Sequence, residues 1–252
     1  LVFRDLKGTK LYFASDFHLG APDEKTSLIR EKNIVRWLEF IAQDAQAIYL
    51  VGDLFDFWFE YKYTVPKGFV RLLGKLADLK DRGIEIHLFT GNHDMWMFDY
   101  FEKEIGVTIH RKPIQIERNG IKLYIGHGDG LGPGDYGYKF IKKVFASNIS
   151  QWLFARVHPN FGFTLANFWS HRSRKMNGHS DEIFLGDDKE WLAIYANEIL
   201  KTQHIDYFVF GHRHLPLEIA LSDKSTYINL GAWFKDCTYA CFDGSKMELL
   251  RW

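Results

Sequence analysis

Short apolar runs, each ending in glycine, aspartate, asparagine or histidine, recur along the chain. "KLYFASDFHLG" (10–20) reads as a buried strand running into a polar loop, and "AIYLVGDLFDFW" (47–58) and "IEIHLFTGNHD" (84–94) repeat the theme. Between these runs the apolar spacing becomes helical. Leu28, Ile34, Val35, Leu38, Ile41 and Ala42 predict a helix over 24–44. Phe69, Leu72, Leu73, Leu76 and Leu79 share one face of a second helix, with Gly83 as its stop signal. In "IQIERNGIKLYIGHGD" (114–129), Asn119-Gly120 between alternating residues predicts a hairpin. Residues 136 to about 203 read as helical and aromatic-rich. Strands return from 205, with turns near Asp223-Lys224 and Asp243-Gly244. Strand–helix alternation followed by strand-rich pairing predicts an α/β fold, a central β structure flanked by helices. Residues 1–135 and 204–252 would form its core and 136–203 an inserted helical cap.

Composition narrows the class. The 252 residues are 46% hydrophobic and 17% aromatic, enough for a substantial core, and the formal net charge is zero. No whole-molecule field therefore steers the protein toward nucleic acid, and none is expected as a partner. Cys237 and Cys241 lack a second pair to complete a zinc site and read as reduced structural thiols of a cytosolic protein. No signal-peptide pattern opens the chain, and no apolar run is long enough to span a bilayer.

The polar loops carry the chemistry. "SDFHLG" (15–20), "GDLFD" (52–56), "GNHD" (91–94), "GHGD" (126–129) and "GHRH" (211–214) each follow a predicted strand and are built from Asp, Asn, His and Gly. Carboxylate, amide oxygen and imidazole suit Mn, Fe or Zn. Two such ions roughly 3.5–4 Å apart can polarise one phosphoryl group, provided that one carboxylate bridges them. Histidines 87, 110, 158 and 204 lack a ligand-like spacing, and Asp56 and Asp129 read as residues that orient ligands or close loops.

With its D-x-H, G-D-x-x-D, G-N-H-D, G-H and G-H-x-H motifs, the chain resembles the calcineurin-like metallophosphoesterases over about 10–130 and 205–252. The resemblance implies a β-sandwich flanked by helices, in α/β/β/α layers, and a dinuclear metal centre. Carried over by position, Asp16, His18 and His214 would hold one ion. Asn92, His127 and His212 would hold the other, and Asp53 would bridge. His93 would stabilise the transition state or protonate the leaving oxygen, with Asp94 orienting its ring.

The inserted segment adds a second signal. From Tyr136 to Ser180 there is no acidic residue, where about six would be expected, while seven basic residues remain. Such a segment favours anionic partners, whether phosphate groups or an acidic membrane surface. Ile141, Val144, Phe145, Ile149 and Trp152 form one helical stripe, expected to pack inward. Phe140 and Phe154 lie off that stripe, on the flank of Lys139 and Lys143, as in an interfacial helix or the mouth of an acyl-binding groove. A helical cap after an H-G-D motif is similar to the UDP-2,3-diacylglucosamine hydrolases of lipid A synthesis. That resemblance implies a manganese-dependent pyrophosphatase, peripheral on the cytoplasmic face of the inner membrane. It would act on an amphiphilic nucleotide-lipid and need no obligate protein partner. It also implies substrate contacts from Asn92, His93, Asp135, Ser173, Asn177 and His212, with Arg172, Arg174 or Lys175 near phosphate. Where the best-known members of that group carry arginine, this chain has His93.

Overall fold

Strand β1 (Lys10–Ala14) sends Leu11 and Phe13 to one side and Tyr12 and Ala14 to the other, and all four are buried. A strand covered on both faces belongs inside a layered structure. The computed structural model of the chain describes residues 8–134, 136–166, 183–184 and 186–252.

Two mixed sheets stack face to face. The first has the order β11-β10-β1-β2-β3-β4 and the second β5-β6-β7-β9-β8. In the first, β1, β2 (Ala45–Val51), β3 (Glu85–Phe89) and β4 (Thr108–His110) run parallel. Strands β10 (Thr238–Phe242) and β11 (Met247–Arg251) add antiparallel edges. In the second sheet β5 (Ile114–Arg118) pairs antiparallel with β6 (Ile121–Gly126). Strand β6 runs parallel to β7 (Tyr207–Phe210), and β7 to β9 (Ser225–Leu230). Strand β8 (Pro216–Ser222) closes that edge, antiparallel to β9.

Three apolar clusters match the layers. Leu11, Phe13, Tyr49, Val51 and Phe89 of the first sheet meet Leu123, Ile125, Val209, Ile228 and Leu230 of the second. Helices α1 (Glu24–Ile41) and α2 (Val70–Asp81) cover the outer face of the first sheet through Ile34, Trp37, Leu38, Leu72, Leu76 and Leu79. Burial of one such Leu or Phe side chain stabilises by roughly 1.5–3 kcal/mol. Helix α1 starts where Asp23 accepts a hydrogen bond from the Thr26 amide at 2.8 Å. The Asn119-Gly120 hairpin has both residues at positive φ, 53° and 80°, the geometry that a two-residue turn requires.

Helix α3 (Tyr136–Phe145), α4 (Asn148–Phe154) and a helix over 159–166, α5, make up the described part of the insertion. Helix α6 (Trp191–Leu200) belongs to the sandwich by packing. Its Leu192, Ala193 and Ala196 join Ile205, Phe208, Phe210 and Tyr227 on the outer face of the second sheet. The layers are therefore α/β/β/α.

The apolar stripe of α3 and α4 departs from expectation. Ile141, Val144, Ile149 and Trp152 are exposed, Ile149 by 73% and Trp152 by 54%. Of the stripe, Phe145 packs inward on Trp96 at 5.9 Å, and it is joined by Phe154, which lies off the stripe, against Phe57, Phe59 and Trp96 at centroid distances of 5.9, 4.7 and 4.7 Å. The two helices are short, 10 and 7 residues, and change direction after Phe145, so one continuous periodicity does not describe them. Strand β4 also escapes the pattern, because Thr-Ile-His supplies three residues and too short a period. Cys237 precedes β10 rather than lying in it, and both cysteines are free.

Candidate metal centre

The parallel strands β1, β2, β3, β6, β7 and β9 all end toward the same side, and the loops after them interlock. The Asp16 amide donates to Gly52 O at 3.0 Å, the His18 amide to Asp53 O at 3.0 Å, and the Gly211 amide to His127 O at 2.9 Å. Trp233, beyond β9, donates its amide to Asp16 O at 3.1 Å and so ties the two sheets together at this point. Asp16, His18, Asp53, His212 and His214 all have positive φ, between 43° and 69°. Each such backbone costs on the order of 1 kcal/mol or more, and it persists only where surrounding structure over-determines it.

That strain brings two sets of donor atoms together. In the first, His18 Nε2 lies 3.1 Å from His214 Nε2, which lies 3.2 Å from Asp16 Oδ1. In the second, His127 Nε2 lies 3.3 Å from Asp53 Oδ2 and 3.4 Å from Asn92 Oδ1. Asp53, His127 and His212 offer donor atoms within 4.8 Å of one another, as do Asp16, His18 and His214. Asp53 Oδ2 also approaches His18 Nε2 at 3.8 Å, so this carboxylate stands between the sets.

The residues present fit a pair of cations. One oxygen of each key carboxylate is pinned: Asp16 Oδ2 accepts from the His212 amide at 3.0 Å, and Asp53 Oδ1 from the His93 amide at 2.9 Å. The other oxygens, Asp16 Oδ1 and Asp53 Oδ2, are buried and have no hydrogen-bond partner. Both point at imidazoles. His127 Nδ1 bonds to Val51 O at 2.8 Å, which commits Nδ1 as the donor and leaves Nε2 with a lone pair in the neutral ring. Buried anionic oxygens facing imidazole lone pairs are an arrangement that a divalent ion satisfies.

Electrostatics give the same picture. Burial opposes charge on Asp16 and Asp53, yet the surrounding histidines hold both carboxyls well below the usual range. Burial likewise opposes charge on His127, but Asp53 overrides it and lifts the imidazole to about 10. A proton on His127 thus does electrostatically what a cation would do, and a divalent ion would displace it. Burial pushes His93 and His212 down to about 4.

Two glycines are dictated by these approaches. A Cβ on Gly91 would collide with Asp53 Oδ1, and one on Gly52 with the His127 ring. The G-D and G-N pairs of the loops therefore exist because a donor from a different loop lies against each glycine Cα.

Asp94 does not orient the His93 ring as expected. Its Oδ1 accepts from the Gly91 amide at 2.8 Å, and its Oδ2 from the Leu54 and Phe55 amides at 2.8 and 3.4 Å. It is a buried clasp between two ligand loops, and burial beside Asp53 raises its carboxyl to about 7. Asp56 lies where the orienting group was expected. Its backbone carbonyl accepts from His93 Nδ1 at 3.0 Å, and its carboxylate lies 3.7 Å from the Nδ1 atoms of both His93 and His18.

Arg30 escaped the sequence reading altogether. From the buried face of α1 its Nη1 donates to Phe17 O, His18 O and Ala21 O at 3.0, 2.8 and 3.1 Å, holding the first loop. The signal was available: Arg30 precedes Ile34 by four residues, on the face that continues through Trp37, Leu38 and Ile41. Asp129 joins the loops to the insertion, accepting from Tyr138 Oη at 2.6 Å and pairing with Lys142 Nζ at 2.6 Å. His87 pairs with His110 across β3 and β4 at 3.0 Å, within the sheet. Asp135, Arg172, Ser173, Arg174, Lys175 and Asn177 lie outside the described residues.

Comparison with known proteins agrees with this geometry. The sequence profile of the calcineurin-like phosphoesterases matches residues 9–216. A UDP-2,3-diacylglucosamine hydrolase of Porphyromonas gingivalis is 38% identical over 253 residues, covering 96% of this chain and 97% of its own. Proteins of that name from Aeromonas hydrophila and Proteus mirabilis are 29% and 27% identical, covering 88% and 95% of this chain and 90% and 97% of theirs.

Proposed function

Since the chain belongs to the calcineurin-like phosphoesterases, a family of hydrolases, we propose that it cleaves the pyrophosphate of UDP-2,3-diacylglucosamine, releasing UMP and 2,3-diacylglucosamine 1-phosphate. The observation that carries this reading is a buried double Asp/His centre lying directly beside an exposed apolar and basic helical surface. Tyr138 and Lys142 of α3 bond to Asp129, two residues from His127, so that surface borders the centre. A nucleotide-lipid needs both: metals for its phosphorus and an apolar face for its acyl chains.

In this reading Asp16, His18, Asp53 and His214 would hold one divalent ion, and Asp53, Asn92, His127 and His212 would hold the other. Mn²⁺ is the proposed metal, with Fe²⁺ and Zn²⁺ as alternatives that the same donors accept. When bound, such a pair polarises the phosphoryl group and supplies a nucleophile from water at neutral pH. The protein's own part is to align the substrate and manage one proton. With Nδ1–H donated to the Asp56 carbonyl, His93 would present Nε2 to the substrate. The negative charge of a bound pyrophosphate favours the protonated ring, which can then donate to the leaving oxygen. Asn92, His93 and His212 would contact the phosphates, Asp135, Ser173 and Asn177 the sugar, and Arg172, Arg174 or Lys175 the lipid-side phosphate.

The part of the segment 136–203 that precedes α6 would serve as the cap over the acyl chains. Phe140 (68% exposed), Ile149, Trp152 and Leu153 of α3 and α4 are flanked by Lys139, Lys143 and Arg156, the composition of a surface that lies in an anionic interface. No described helix is long and apolar enough to cross a membrane. The proposed location is peripheral, on the cytoplasmic face of the inner membrane.

One experiment covers substrate and surface. Purified protein with Mn²⁺ is given UDP-2,3-diacylglucosamine in anionic vesicles and, separately, soluble bis(4-nitrophenyl) phosphate. UMP should form from the vesicles. Trp152→Glu should slow UMP release while leaving turnover of the soluble diester intact. Robust diester turnover with no UMP would defeat the substrate assignment, and equal loss on both substrates would defeat the interfacial role.

A further inference from the structure

Beneath the turn that presents His212 and His214 lies a connected set of buried polar side chains. Arg213, between the two histidines, donates Nε to both oxygens of Glu190 at 3.0 and 3.1 Å. Tyr227 Oη donates to Glu190 Oε1 at 3.3 Å, and Asn229 Nδ2 lies 3.3 Å from Tyr227 Oη. Asn229 Nδ2 also donates to Gly211 O at 2.5 Å, which returns the chain of contacts to the turn. All four side chains are at most 3% exposed. The Trp191 ring lies 4.2 Å below the guanidinium, and Arg213 Nη2 donates to Ile183 O at 3.1 Å.

We infer that Glu190, Arg213, Tyr227 and Asn229 act as positioning residues that set the metal affinity of His212 and His214. The inference rests on the metal-ligand assignment above and deepens it. Its physical basis is the conformation of the turn. His212 and His214 sit at φ 69° and 53°, a left-handed conformation that few non-glycine residues adopt and that surrounding contacts must hold, and the Arg213 amide doubles back to Gly211 O at 2.8 Å. The network grips that turn at both ends, Gly211 through Asn229 and Arg213 through Glu190. A buried ion pair adds little net stability compared with apolar residues of similar volume. Its value at this place is geometric: it fixes two donors that serve different ions.

The test separates geometry from stability. Wild type and variants are stripped with chelator, titrated calorimetrically with Mn²⁺, and melted in chelator. Tyr227→Phe removes one hydroxyl and keeps the ring, and should weaken Mn²⁺ binding about tenfold. The double variant Glu190→Leu/Arg213→Met strands no charge, so its melting midpoint should stay near wild type while Mn²⁺ affinity falls by about 10–100-fold. Glu60→Gln, in a buried cap over the amides of Phe98, Asp99 and Tyr100, should lower the midpoint and leave Mn²⁺ affinity unchanged. Mn²⁺ affinity within about twofold of wild type in Tyr227→Phe overturns the inference. So does equal weakening by Glu60→Gln. If the double variant does not fold, Tyr227→Phe decides alone. A wild type that binds no Mn²⁺ would instead sink the metal assignment itself.

Discussion

Replacing Asp53 with alanine should abolish phosphoesterase activity and metal binding together. The reason is that Asp53 Oδ2 faces His127 at 3.3 Å and His18 at 3.8 Å, one donor from each set, so both ions lose a ligand at once. Its other oxygen accepts the His93 amide, so the G-N-H-D loop loses its register as well. This is not expected to be a folding failure. Without metals, Asp53 repels its neighbour Asp94 but is paired with His127, and removing it costs that pairing and the His93 amide bond. In chelator the variant should therefore melt below the wild-type midpoint, still in one cooperative transition. In Mn²⁺ the wild type should gain stability by linkage and the variant should gain none. A variant that keeps its Mn²⁺-dependent shift in midpoint would remove Asp53 from the bridging position.

His93→Ala should behave differently. Turnover should fall by roughly 10²–10⁴-fold, the range for a group that handles a proton in the transition state. Metal content should stay at the wild-type level, because His93 Nδ1 is committed to the Asp56 carbonyl at 3.0 Å and the assigned ligands are other residues. The substrate reveals the role. A diester with a nitrophenolate leaving group needs little protonation and should lose much less rate than the pyrophosphate. Equal losses on the two substrates would show that His93 orients rather than protonates. Full activity on the pyrophosphate would leave it without a catalytic role.

Much of this was legible in the sequence, for reasons that can be named. The strands β1, β2, β3 and β7 that feed the centre close on buried apolar residues, and each run ends at a polar loop. The period and the chemistry therefore change at the same residue, as at Val51-Gly52-Asp53 and Phe210-Gly211-His212. What stayed hidden depends on contacts between distant segments. Nothing near Asp94 announces that its partners are the amides of Leu54 and Phe55, forty residues away. The Glu190–Arg213 pair joins positions 23 residues apart, and neither residue belongs to a recognisable spacing. The α3–α4 stripe misled for a different reason. Helical periodicity reports an apolar face, and a face left exposed has the same period as one packed into a core. The neighbouring charges distinguish the two: Lys139, Lys143 and Arg156 flank the exposed stripe, whereas few charges interrupt the face that α6 buries.

The strained backbone at Asp16, His18, Asp53, His212 and His214 also finds its explanation in the centre. Five residues in the left-handed region cost the fold several kcal/mol at the rate of about one or more each, and apolar packing gains nothing from them. The cost makes sense if the donors must converge on ions.

The most direct test is an anomalous-difference map from crystals grown in Mn²⁺ and measured at the manganese absorption edge. The account predicts two peaks per chain, one among Asp16, His18 and His214, the other among Asn92, His127 and His212, with Asp53 between them. A map without density there, or with its only peak at some other place on the molecule, would contradict it.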